Sequence, residues 1–202
     1  MKFYLVVLLS VLGLGNLCAQ TYNEEIVKYR TNYIKALTTE HNTPVKPADA
    51  RYIHFFEPNV KYKVNATLTE IPGSKPIMLP THSGKNKPFK EYGIVKCTIN
   101  DTAIELHGYQ MLNLLNNSID NNDLFIPFFD ATNYDFTYGG GRYLDIPLKE
   151  IKDGILTIDF NKCYNPYCAY GDGYSCPIPP EENRLHISIK AGEKIYSKFL
   201  GK

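Results

Sequence analysis

From Val60 to Thr69 apolar and polar residues take strict turns. Val60, Tyr62, Val64, Ala66 and Leu68 hold one parity; Lys61, Lys63, Asn65, Thr67 and Thr69 hold the other. Successive side chains of an extended chain point to opposite faces, so the pattern predicts a strand with one buried and one wet face. Residues 91–99 and 102–109 read as two more strands, joined at Asn100-Asp101. Residues 123–129 read as another, interrupted by Pro127. Leu156, Ile158 and Phe160, and then Leu185, Ile187 and Ile189, repeat the alternation in short form. Such strands, separated by turns in a chain with 14 Gly and 13 Pro, predict a mainly β fold, an antiparallel β-sandwich or barrel.

Helical spacing dominates one segment, residues 22–39, where Ile26, Tyr29, Tyr33 and Leu37 recur among Glu24, Lys28, Arg30 and Lys35. Thr21 and Glu24 stand three apart, as in a capping box, and Pro44 and Pro47 break the pattern. The expected result is an N-terminal helix packed on the β domain. Ahead of it, Lys2 precedes an apolar run from Phe3 to Leu14, and Ala19 supplies a small residue. This predicts a signal peptide over 1–20 and a single β-rich domain over 21–202, periplasmic or secreted. The run falls short of the roughly 20 residues that span a bilayer, and no later run is long enough, so no membrane span is expected after cleavage. Lipidation at Cys18 is disfavoured by the bulky Leu17 before it. Loss of Lys2 leaves equal numbers of basic and acidic residues, which argues against nucleic acid as a partner.

Export leaves Cys97, Cys163, Cys168 and Cys176, enough for two disulfides in three connectivities. A Cys168–Cys176 bond would close a small loop containing Gly171 and Gly173. Zinc binding through these residues lacks a C-x-x-C knuckle, and redox activity lacks the C-x-x-C motif. No histidines pair at i, i+4, and no Walker, dinucleotide or nucleophile-elbow motif is present, so no metal or cofactor is expected. The Asn-rich stretch Asn113–Asn122 reads as a surface loop.

Two regions stand out. Gly139-Gly140-Gly141-Arg142-Tyr143-Leu144-Asp145 reads as a tight loop whose glycines admit a ligand or form a nest of amides. The segment from Asn161 to Asn183 is a second long loop, rich in Tyr, Asn and Pro. Tyr134, Tyr138, Tyr143, Tyr164, Tyr167, Tyr170 and Tyr174 carry the strongest ligand signal, since rings flanked by Asn and Asp suit a sugar or flat ligand. The candidate binding residues are Gly139, Gly140, Gly141, Arg142, Tyr143, Asp145, Asn161, Asn165, Tyr170 and Asn183. The two loops are expected to meet, with Arg142 bridging to Asp145, Asp159 or Glu182.

The Gly139–Asp145 run, Leu156–Phe160, Asn165-Pro166-Tyr167-Cys168-Ala169-Tyr170, Cys176-Pro177-Ile178-Pro179-Pro180, Asn183-Arg184-Leu185 and Ala191-Gly192-Glu193-Lys194 together resemble a bacterial domain-of-unknown-function family catalogued as number 1684. The likeness takes in most of the chain beyond residue 20, including Phe125-Ile126-Pro127-Phe128. It implies no activity. It implies that Cys168–Cys176 is a shared bond, because Cys163 stands where the family commonly has Ala; Cys97 and Cys163 are then a local addition, paired or free.

The leading functional expectation is non-enzymatic. An exported domain binds a small polar ligand or cell-envelope component through its Gly-rich and Tyr/Asn-rich loops. One rival is an envelope hydrolase or transferase, with Asp145, Asp159 or Glu193 as acid or base and Arg142 on an anionic group. The other is a structural envelope protein without a ligand.

Overall fold

The alternating segments pair into one twisted sheet in the computed structural model, which describes residues 3–39, 43–113, 118–119 and 122–199. Met1 and Lys2, at the start of the expected signal peptide, lie outside the described residues, as do the side chains ahead of Gln20 and most of the Asn113–Asn122 stretch. The elements are α1 (Phe3–Thr39), β1 (Lys63–Glu70), β2 (Pro76–Pro80), β3 (Asn86–Ile99), β4 (Thr102–Asn113), β5 (Ser118–Ile119), β6 (Asp123–Phe128), β7 (Arg142–Pro147) and β8 (Ile155–Asp159). The sheet runs β7-β6-β4-β3-β1-β8, with β2 added to β3 and β5 to β4. All these pairings are antiparallel, and the sheet curls into a half-barrel with the N-terminal helix against it.

Period two places the core. Leu68, Val95, Leu106, Leu124, Ile126, Leu144 and Ile158 all face the inside of the curl, where Phe128 and Phe160 cross edge to face at 5.7 Å. The hairpin between β3 and β4 turns at Asn100 and Asp101, both at positive φ (47° and 64°), a geometry that matches strand twist. On α1 the buried stripe is Tyr22, Ile26, Arg30 and Leu37, with Tyr29 and Tyr33 half-buried.

Several local readings change. Thr21 lies inside α1, so it does not cap the helix. Arg30 sits on the buried face, donating to the Phe56 carbonyl at 2.8 Å and lying 4.7 Å over the Phe55 ring. Residues 185–189 form no strand; they run irregularly beside Phe129 and Ala131, tied by Leu185 N–H to Phe129 O and Ala131 N–H to Ile187 O. Arg142–Pro147 is a strand, so the glycine loop ends at Gly141.

Strand β6 passes through Pro127 because the ladder to β4 is short there, with Tyr109 opposite Phe125 as its register pair. Proline cannot donate to a ladder. The Asn183 side chain takes the place of the missing bonds. Its Oδ1 accepts from His107 N–H at 2.6 Å, and its Nδ2 donates to His107 O at 2.8 Å and Pro127 O at 2.7 Å.

Candidate functional site

The phase of β7 separates sequence neighbours. Arg142, Leu144 and Ile146 share the core face, while Tyr143 and Asp145 occupy the opposite one. On that outer face Phe125 of β6 lies opposite Asp145, and Phe89 of β3 stacks on Phe125 at 5.5 Å. The segment after β8 returns across the end of the sheet. Tyr143 and Tyr164 exchange backbone hydrogen bonds of 2.9 and 3.0 Å. The expected meeting of the two regions takes place here, and Pro179 also packs against Gly141.

Between these elements lies a cleft of about 490 Å³. Its walls are Phe125, Tyr143 and Asp145 on the sheet, Phe89, Lys87 and Met111 beside them, and Tyr164, Pro166, Tyr167 and residues 174–177 from the returning segment. Phe125 and Tyr143 meet at 75° with centroids 4.8 Å apart, and Tyr143 and Tyr164 at 89° and 5.8 Å. The Tyr143 hydroxyl donates to the Pro177 carbonyl, and the Tyr164 hydroxyl to Asp145 Oδ2. Burial first, then neighbouring carboxylate or thiol charge, raises both phenols, so both remain protonated donors. The Asp145 carboxyl reaches solvent, yet its walls strip enough water to raise it above the ordinary carboxylate value. The Tyr164 bond opposes that rise, and Asp123 adds to it.

Asp145 and Tyr164 also border a second cleft, of about 600 Å³, between edge strands β7 and β8. Glu25 and Tyr29 of α1, Lys63, Asp159 and Lys162 line it. Glu25 holds the two lysines at 3.9 and 3.4 Å.

Of the ten binding candidates, Tyr143 and Asp145 line the aromatic cleft. The other eight lie elsewhere, most of them tied into internal bonds. Gly139 and Gly140 pass under the rings of Tyr134 and Tyr138, where a Cβ would fall 2.3 and 2.4 Å from ring carbons. Gly141 takes φ +87°, which favours glycine. Arg142 is fully buried. It meets none of the three carboxylates expected of it; its partner is Asp130 Oδ2 at 2.6 Å, with the Ile189 and Ala191 carbonyls at 2.8 and 2.5 Å. The physical reason is its strand parity with Leu144 and Ile146. Asn161 bonds Asn59, Tyr22 and Asp159. Asn165 donates to Lys194 O at 2.8 Å, and Asn183 bridges β4 and β6 as above.

Tyr170 belongs to a buried cluster around Glu193. That carboxylate accepts from Tyr170 OH at 2.6 Å, from Tyr33 OH of α1 at 2.9 Å and from Asn165 N–H at 2.9 Å. Burial pushes the Glu193 carboxyl up to about 7 against the pull of these donors. Asp159 accepts from Tyr22 OH at 2.9 Å and from Asn161 N–H at 3.0 Å.

The four cysteines beyond Cys18 are thiols in this structure. Cys168 N–H donates to Cys176 Sγ at 3.2 Å, and burial with the adjacent Cys168 pushes the Cys176 thiol up to about 12. Cys163 packs on Gly192 and faces the Ala191 carbonyl at 3.5 Å; Cys97 stands between Ala66 and Ile104 in the sheet. Residue-type reasoning marked the tyrosines of the cleft but missed Phe89, Phe125 and Met111. Their outward parity becomes a signal only once the strand registers are known.

The profile of a family described as "Protein of unknown function (DUF1684)" matches residues 49–194. No curated protein sequence matches the chain. Among solved structures, the chain is similar to an uncharacterized protein of Haloarcula marismortui determined by solution NMR. The match has 27% identity and a TM-score of 0.67, and covers 87% of this chain and 95% of that one.

Proposed function

The chain belongs to DUF1684, a family of proteins of unknown function; we propose, from the cleft's geometry, that it is a binding domain and, from its N-terminal sequence pattern, that it is exported. Its aromatic cleft takes a small polar ligand or a cell-envelope component. The observation that carries this reading is the cleft itself: rings from two sheet strands and the returning segment surround one solvent-reaching carboxylate, Asp145. Its volume lies within the range of small-molecule sites.

The hydrolase or transferase reading needs two carboxylates facing one substrate. Asp145 is the one carboxylate lining the aromatic cleft among the described residues. The second cleft does gather Asp145, Asp159, Glu25 and Glu150, but there Asp159 is clasped by Tyr22 and Asn161, and Glu25 is paired with Lys63 and Lys162. Glu193 is sealed beneath Tyr33 and Tyr170. A purely structural role leaves the cleft unused. Export rests on the Lys2, Phe3–Leu14 and Ala19 pattern and implies a product starting at Gln20 or Thr21, which N-terminal sequencing of the exported protein tests. In that compartment Cys168 and Cys176, already adjacent, pair as a disulfide.

A thermal-shift screen against envelope sugars, nucleotides and small organic ions tests the binding reading, because a ligand for the folded form alone raises the midpoint. Tyr143→Ala should abolish any shift found. A shift that survives Tyr143→Ala would remove the cleft from the reading.

A further inference from the structure

At the Asp145 end of the cleft, the hydrogen bonds already made select the kind of ligand it admits. Tyr143 and Tyr164 spend their hydroxyl protons on Pro177 O and Asp145. Ser175 is engaged with the hydroxyls of Thr81 and Ser83, each at 2.9 Å. At this end the cleft therefore offers acceptors: phenolic lone pairs and the Asp145 carboxylate, whose second oxygen has no hydrogen-bond donor among the described residues. A ligand seated there has to bring donors or positive charge.

The walls point the same way. Phe125, Tyr143 and Tyr164 meet in successive near-perpendicular contacts, forming the corner of a box rather than a flat stack. Ring faces carry negative potential and attract cations, above all weakly hydrated organic ones. An anion would meet both the carboxylate and these faces. A hard divalent metal would want six or more oxygen ligands, where this site supplies one carboxylate. Desolvation has already raised Asp145, and a cation beside it would relieve that cost.

We propose that the aromatic cleft recognises an organic ammonium ion, its cationic head held against Phe125, Tyr143 and Tyr164 with Asp145 as counter-ion. The inference rests on the binding reading above and adds the ligand class. Lys87 also lines the site, near enough to Cys176 for its charge to oppose, without reversing, the rise that burial imposes on that thiol. It confines the cationic head to the Asp145 end and leaves room beside itself for a hydroxyl or anionic tail.

The test is titration calorimetry on the full chain with choline, with its uncharged isostere 3,3-dimethylbutan-1-ol, and with glucose as a neutral polyol. Choline should bind at least about tenfold more tightly than the isostere, the gain expected from a desolvated cation–π contact plus a counter-ion. Asp145→Asn should reduce choline to the level of the isostere, and Asp145→Glu should restore most of the difference. Circular dichroism checks that both variants fold. Choline affinity should fall as pH drops and Asp145 takes up a proton, while isostere affinity stays level. Equal binding of choline and isostere, or an Asp145→Asn protein that keeps the preference, overturns the ammonium assignment and leaves the cleft as a binding site. Glucose binding without choline does the same. Failure of all three compounds overturns the ammonium assignment, and a blank thermal-shift screen, or a shift that survives Tyr143→Ala, would remove the binding reading as well.

Discussion

Arg142→Met should destabilise the protein by about 4 kcal/mol while leaving the cleft's ligand response intact in the folded fraction. Arg142 has no solvent exposure and lies 5.4 Å from the Phe128 ring, so water cannot replace its partners. Methionine fills much of its volume but donates nothing. Asp130 then keeps its bonds from Thr132 and Ile189 N–H and loses the cation at 2.6 Å; the Ile189 carbonyl loses its guanidinium donor, and the Ala191 carbonyl keeps only the weak Cys163 thiol. Breaking a buried ion pair from one side costs about 3–5 kcal/mol. Orphaned carbonyls cost about 1–3 kcal/mol each, and part of that is already inside the first figure. For a domain of this size the midpoint should fall by roughly 8–16 °C. Arg142→Lys keeps the charge without the planar fork and should fall between wild type and Met. Urea unfolding followed by far-UV circular dichroism measures both. A loss below about 1 kcal/mol for Arg142→Met, or a larger effect on ligand response than on stability, would refute the assignment of this arginine to the core.

Glu193 predicts a pH slope. Its folded-state value is raised to about 7 from the usual 4.5, so the native state holds an extra proton between those values; the stability it contributes is present below pH 4.5 and is lost as pH rises through 7. Stability should therefore decline from pH 5 to 8 by up to roughly 3 kcal/mol on this account, and Glu193→Gln should flatten that slope; urea unfolding at both pH values would show parallel curves if the idea is wrong. Asn183→Ala removes the donors and acceptor that join His107 to Pro127 and should cost about 2–4 kcal/mol, with faster amide exchange at His107; an unchanged exchange rate counts against the bridging role. Oxidation should join Cys168 to Cys176 and stabilise by about 2.5 kcal/mol on the chain-entropy estimate, checked by non-reducing peptide mapping; a map pairing either with Cys97 or Cys163 would contradict it.

Alternation alone was enough to determine a mainly antiparallel fold, the β3–β4 turn at Asn100-Asp101 and most of β1, β3, β4 and β8, because a period of two is a local property of the chain. Helical spacing likewise marked the docking stripe of α1 through Ile26 and Leu37, though not Arg30, whose charge disguised a buried position. Residue types and a recurring set of motifs identified the family. The lining of the candidate cleft was legible in part: Tyr143, Asp145 and Tyr164, which border it, were marked by chemistry before any geometry was known. Tertiary structure decided the rest. Glycines before Arg142 suggested a loop, but pairing with β6 made Arg142–Pro147 a strand, and strand parity then sent Arg142 into the core and Asp145 to the cleft. Asn161, Asn165 and Asn183 look like ligand contacts in the sequence because amides serve ligands and backbones equally well. Only the positions of Asn59, Lys194 and His107, distant along the chain, show that these side chains bond inside, Asn165 through its Nδ2 alone. Those partners are brought together by long-range pairing, which no local pattern encodes.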